Sequence, residues 1–129
     1  MGKEYLLDTN VVSKTLQGLL PESGLVFMAT VLRTTANLSV INRIELLGWT
    51  PDDPEFAADL ALFVVTSHQF SLTEDVIQQT IAMHRSVKIK LPDAIIAATA
   101  IVHGLTLLSD NDTDFLRVPK LKYINPAKL

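Results

Sequence analysis

The 129-residue chain has no cysteine, which excludes disulfides, thiolate nucleophiles and sulfur metal ligands and fits a reducing, cytoplasmic setting. Its 5 glycines and 6 prolines are few, and with hydrophobic residues at 48% neither low complexity nor disorder is expected. No apolar run reaches the ~20 residues that cross a bilayer. The most apolar stretch, Ala94 to Leu108, is broken by His103 and Gly104 and reads as a core helix followed by a core strand. The opening residues meet acids before an export-type apolar segment can form. Positive charge is also not in excess: the formal net charge is −3, so the chain cannot grip nucleic acid by overall electrostatics and would need bound cations or a local basic patch.

What is present is an alternation of short apolar runs and helical patterns. Tyr5-Leu6-Leu7 reads as a buried strand, and Asp8-Thr9-Asn10 as a turn and cap leading into a helix that Gly18 ends. Apolar positions from Pro21 to Arg33 fit a helical face. Asn37 to Ile41 reads as a strand, and Asn42-Arg43-Ile44-Glu45 as a helix cap with its reciprocal Glu, the helix closing near Gly48. Phe56, Leu60, Phe63 and Val64 predict a helix to Thr66, His68 to Leu72 a strand, and Ser71-Leu72-Thr73-Glu74 a capping box that opens the next helix. Leu91-Pro92-Asp93 starts the clearest helix, which Gly104 ends. Leu105 to Ser109 is then a strand, Asp110 to Phe115 a loop, and Tyr123-Ile124 a last short strand. This order predicts one α/β domain over residues 1–129, with a mainly parallel central sheet and helices on both faces.

In such a sheet the carboxyl ends of strands and the amino ends of the following helices share one edge. Asp8, Glu45, Asp93 and the cluster from Asp110 to Asp114 all fall at those junctions. Each acid also has a local explanation, as a helix cap, a dipole partner or a solvated turn. Their joint arrangement is what carries chemistry, because carboxylates gathered on one edge raise each other's pKa unless a cation intervenes. Oxygen donors with no Cys or His among them select Mg²⁺ or Mn²⁺ over zinc. Such an ion activates water against a phosphodiester. There is no Gly-rich phosphate loop and no G-x-S-x-G elbow, and His68, His84 and His103 are scattered and read as structural. Arg85, Lys88 and Lys90 precede Asp93 closely and can flank the acids as a phosphate-binding rim, or simply form a solvated helix end.

The chain resembles a PIN-domain ribonuclease of the VapC type, the toxin of a toxin–antitoxin pair. The segments that carry the resemblance are Leu6-Leu7-Asp8-Thr9-Asn10-Val11-Val12, Ser39-Val40-Ile41-Asn42-Arg43-Ile44-Glu45-Leu46-Leu47-Gly48, Leu91-Pro92-Asp93-Ala94-Ile95-Ile96-Ala97-Ala98-Thr99-Ala100, and Leu105 through Asp114-Phe115. The resemblance implies a Mg²⁺- or Mn²⁺-dependent endoribonuclease that forms a homodimer and is held inactive by a cognate antitoxin. It assigns Asp8, Glu45 and Asp93 as the first three acids and places the fourth at Asp114, with Asn111 as a polar contact and Asp112 also in contention. Thr9, Asn10 and Ser109 become supporting polar residues, and Asp110 has no assigned role. Two other readings stand beside this one: a solitary RNA-processing or DNA-directed nuclease of the same fold, and a receiver-like Mg²⁺-binding signalling module. The receiver would need an acidic pair after the first strand, where the chain has only Asp8.

Overall fold

The computed structural model describes residues 4–129; the reading of Met1 to Lys3 as free of an export signal lies outside them. Strand β1 (Tyr5–Leu7) leads through Asp8 into helix α1 (Thr9–Leu16), because Asp8 is extended and its side chain accepts from the Thr9 N–H. Gln17 closes α1, and Gly18 follows with φ at +68°, a left-handed turn that suits a residue without Cβ. Helix α2 (Glu22–Leu32), strand β2 (Asn37–Ser39), helices α3 (Val40–Gly48) and α4 (Pro54–Thr66) and strand β3 (His68–Phe70) come next. The second half holds α5 (Glu74–Ser86), α6 (Leu91–Val102), β4 (Thr106–Leu108), the short α7 (Asp112–Phe115), β5 (Lys122–Ile124) and a 3₁₀ turn over Pro126–Lys128.

All strand pairings are parallel. Three strands run in the order β1-β4-β5, with Leu6 opposite Leu107 and Leu107 opposite Tyr123, and β2 pairs with β3. The two pieces meet where the Asn37 side-chain amide donates to the Tyr5 carbonyl at 2.8 Å. Side chains alternate across the sheet as the two-residue period of a strand demands. Leu6 and Leu107 pack with Val76, Met83, Ala97 and Ala100 of α5 and α6, while Leu7 and Leu108 pack with Val11, Met28, Leu46 and Val64 of α1 to α4. Helices therefore cover both faces, as expected, and the sheet is buried on both sides.

Several expected boundaries move, each for a local reason. The cap of α3 is Ser39, not Asn42: Ser39 Oγ accepts from the Asn42 N–H at 3.2 Å, and Asn42 Oδ1 accepts from the Ser39 N–H at 3.1 Å. Glu45 thus lies in the second turn of α3, not the first, and takes no part in capping. The cap of α5 is Thr73 rather than Ser71, since its hydroxyl accepts from the Val76 N–H and Glu74 is already helical. The stretch from Asp110 to Phe115, expected as a loop, winds into α7 because Asn111 caps it by accepting from the Asp114 N–H. Among the described residues, no helix is long and apolar enough to cross a membrane.

Candidate functional site

The ends of β1 and β4, the first turns of α1 and α6 and the second half of α3 open onto one cleft of about 520 Å³, lined by Asp8, Thr9, Asn10, Glu45, Gly48, Trp49, Asp93 and Asn111. Asp8 enters from the end of β1 and is only 8% exposed. Its Oδ1 accepts from the Thr9 N–H at 2.8 Å and from Asn42 Nδ2 at 3.2 Å, and its Oδ2 accepts from Ser109 Oγ at 2.7 Å. The carboxylate is thus oriented from three elements. Burial still raises its pKa above the usual carboxylate value, against the opposing pull of the Ser109 and Thr9 hydrogen bonds, with Glu45 and Asp110 adding to the rise.

Asn42 serves the cap and the site together. One amide oxygen closes the capping box, while its Nδ2 donates to Asp8 and, at 3.1 Å, to Thr9 Oγ1. The Thr9 hydroxyl in turn donates to Glu45 Oε1 at 2.6 Å, which draws the exposed Glu45 carboxylate toward the cleft. Asp93 comes from the first turn of α6, where Pro92 suits the helix start and the dipole favours an acid. Its pKa is pushed up to about 6, first by burial, then by the hydrogen bond it shares with Asp114 and the charges of Asp8, Asp114 and Glu45.

The loop after β4 divides its acids between different neighbours. Asp110 pairs with Lys14 of α1. Asp112 accepts from Lys128, from the Tyr123 hydroxyl at 2.6 Å and from Asn125 Nδ2 at 3.0 Å, and these contacts, Lys128 foremost, hold its pKa down at about 2. Its carboxylate is therefore committed to the C-terminal segment rather than to the cleft. Asp114 accepts from Asn111 Nδ2 at 2.9 Å and from Arg117 Nη2 at 3.0 Å. These contacts, led by Asn111, lower its pKa while that of Asp93 beside it is raised, so the two carboxyls titrate as a pair. Asn111 lines the cleft directly, and Asp114 adjoins it through Asp93.

The donor set is oxygen only, and its raised pKa values mark negative charge that a cation would neutralise. Among the described residues, no three acidic or imidazole groups stand close enough to grip an ion as a closed set. Oxygen donors of this kind suit a hard cation such as Mg²⁺, which keeps several waters and is held through one or two carboxylates, so no closed set is required. Of the basic residues expected as a rim, Lys88 and Lys90 line a depression that also holds Asp114. Arg85, in the last turn of α5, lines neither it nor the cleft. His68 stacks edge-on against Phe70, whose ring lies 4.2 Å from that of His103, and neither histidine lines the cleft.

Sequence reasoning missed Asn42 as a site residue, Trp49 as part of the cleft wall and Arg117 as the partner of Asp114. The only signal for Asn42 was its place one turn before Glu45. Trp49 follows the last residue of α3 and sits edge-on to Phe56 at 5.5 Å, a contact that no local pattern announces.

Comparison with solved structures places the same fold in several complexes. A chain of DNA-bound VapBC from Salmonella typhimurium superposes with a TM-score of 0.81 at 20% identity, covering 96% of this chain and 98% of the other. A chain of a toxin–antitoxin complex from Klebsiella pneumoniae gives 0.75 at 23% identity over 95% and 98%, and one of FitAcB from Neisseria gonorrhoeae gives 0.73 at 25% over 97% and 99%. No curated protein matches the sequence. The parallel strands with acids at their carboxyl ends are matched by a family model over residues 5–121, which contain every acid of the cleft, and the chain belongs to the PIN domain family.

Proposed function

We propose that this chain is a Mg²⁺- or Mn²⁺-dependent endoribonuclease that acts as the toxin of a toxin–antitoxin pair. The observation that carries the reading is the meeting of Asp8, Glu45 and Asp93, far apart in sequence, in one open cleft with oxygen donors only. PIN domains as a family are nucleases that use divalent metal ions, and the neighbours of like fold come from toxin–antitoxin complexes. A cognate antitoxin is accordingly the expected protein partner, and a homodimer the expected assembly. Ile44, Leu47, Leu62 and Val65 of α3 and α4, each between 49% and 72% exposed, supply apolar surface for such contacts.

One or two of Asp8, Glu45 and Asp93 would contact the ion directly and the rest through its waters, with Asn111 on the cleft wall and Asp114 beside Asp93. Bound there, Mg²⁺ or Mn²⁺ supplies positive charge to a phosphate oxygen and lowers the pKa of an attacking water. Asp8 is kept in one orientation by Ser109, Thr9 and Asn42, so no rotamer search accompanies binding. Glu45, steadied by Thr9 but exposed, has room to shift as substrate enters. Burial and the neighbouring carboxylates raise the Asp93 pKa to about 6, and a bound cation would return it to its charged form. The receiver-like alternative gives way to membership of the PIN family.

Replacing Asp8 with Asn should abolish cleavage of single-stranded RNA in Mg²⁺ or Mn²⁺ while circular dichroism shows an intact fold. Undiminished cleavage by that variant would overturn the reading. Cleavage by the wild type of DNA but not RNA would assign the same site to a DNA-directed nuclease.

A further inference from the structure

The acidic cleft has two neighbouring hollows of opposite sign. One, sharing Trp49 with the cleft, carries Asp52 and Asp53. The other, of about 520 Å³, is lined by Lys88, Ile89, Lys90, Asp114 and Arg117. It adjoins the cleft because Asp114, on its wall, interacts with Asp93 on the wall of the cleft. Three cations stand there against one carboxylate, on a chain whose formal net charge is −3. An anionic strand leaving the cleft is repelled on one side and attracted on the other.

The basic hollow is also held in shape. Ile89, 6% exposed, anchors the segment between the two lysines, and neither lysine forms an ion pair among the described residues. Arg117 donates from Nη2 to Asp114 Oδ1 at 3.0 Å and from Nε to the Thr113 carbonyl at 2.9 Å. Those two bonds position the guanidinium and leave its other N–H donors for a ligand. Positioned cations beside a reacting centre are what a phosphodiester backbone requires for its register.

Building on the endoribonuclease reading, we propose that this hollow is the subsite for the RNA phosphates that flank the scissile bond. Lys88, Lys90 and Arg117 bind the phosphates, and Ile89 with the lysine stems floors the adjoining sugar. Arg117 belongs to this subsite although nothing in its local sequence marks it.

The test reads binding of a labelled, single-stranded oligoribonucleotide of mixed sequence by fluorescence anisotropy in EDTA over a salt series, and cleavage of the same RNA in Mg²⁺. The Lys88→Gln/Lys90→Gln double variant should bind roughly tenfold more weakly and lose about 0.7 from the slope of log affinity against log salt for each contact removed. In cleavage, KM should rise while kcat at saturating RNA stays unchanged. Arg117→Gln should weaken binding in the same way, and Arg85→Gln, an equal charge change outside the hollow, should behave as wild type. Wild-type affinity and slope in the double variant would overturn the subsite, as would an equal loss in Arg85→Gln or no RNA binding by the wild type. Because binding is read without metal, the two readings fail separately. A protein that binds RNA through these lysines and cleaves none refutes the nuclease alone, and one that cleaves with an unchanged KM in the double variant refutes the subsite alone.

Discussion

The Ser109 hydroxyl governs the most buried acid of the cleft. It donates to Asp8 Oδ2 at 2.7 Å and accepts from the Asn111 N–H at 3.0 Å, so it joins the end of β4 to both β1 and the α7 cap. Ser109→Ala would leave a buried carboxylate oxygen short of a donor, a loss of about 1–3 kcal/mol in stability. The same change should raise the Asp8 pKa further, since the Ser109 bond is the largest influence holding it down. Mn²⁺ affinity, read by calorimetry at neutral pH, should fall by roughly 10–100-fold. An unchanged affinity would mean that Ser109 only fills space. Asn42 has a comparable double role, and its signature in the sequence was obscured because Ser39 and Asn42 both have cap chemistry and stand three positions apart.

At the scale of elements, the C-terminal segment acts as a clamp on the helical face. Gly24 of α2 lies so close to the 3₁₀ turn that a Cβ there would sit 2.2 Å from the Pro126 carbonyl oxygen, and Ser23 donates to the Leu129 carbonyl. The clash is with backbone, so no side chain can move aside to relieve it. Gly24→Ala should therefore cost about 1–3 kcal/mol, or more if α2 is forced off the turn. Gly48→Ala, which meets nothing within 4 Å at the end of α3, should be neutral or slightly stabilising. Thermal denaturation of the two variants checks the contrast; equal melting temperatures would contradict it. The segment clamped in this way is also the one that draws Asp112 away from the cleft through Tyr123, Asn125 and Lys128.

Across the whole molecule, the acidic cleft costs stability that a bound ion would return. Asp93 in the folded chain has a pKa of about 6 against a reference of 3.8, so the fold favours its protonated form. The ionised form therefore destabilises the fold. That cost is absent below about pH 4, grows as pH rises toward 6, and is complete above it. Asp93→Asn should accordingly melt at a higher temperature than wild type in EDTA at pH 8, with the advantage fading as pH falls through 6 to 4. Added Mg²⁺ should narrow or reverse the order at pH 8, because the wild type, with one more carboxylate for the ion, gains more stability from binding. A melting difference that is the same at pH 4 and pH 8 would show that the carboxylate's charge is not the cause.

Much of the fold is legible in local chemistry. Capping residues, helix-period apolar positions and the glycines at 18 and 104 act within a few residues of themselves, so the order of strands and helices follows from the chain read in short windows. The placement of Asp8 and Asn111 just after β1 and β4 is legible for the same reason, since parallel strands send those junctions to one edge, and Asp93 is legible from its helix start, whereas Glu45 lies one turn deeper in α3 than its sequence suggests. Contacts between distant segments are another matter. Which of Asp110, Asp112 and Asp114 stays beside the cleft depends on the cations each one meets, Lys14, Lys128 and Arg117, and the two lysines come from opposite ends of the chain. The registers of β1 against β4 and of β4 against β5 settle those pairings, because they decide which cations are brought within reach of which carboxylates.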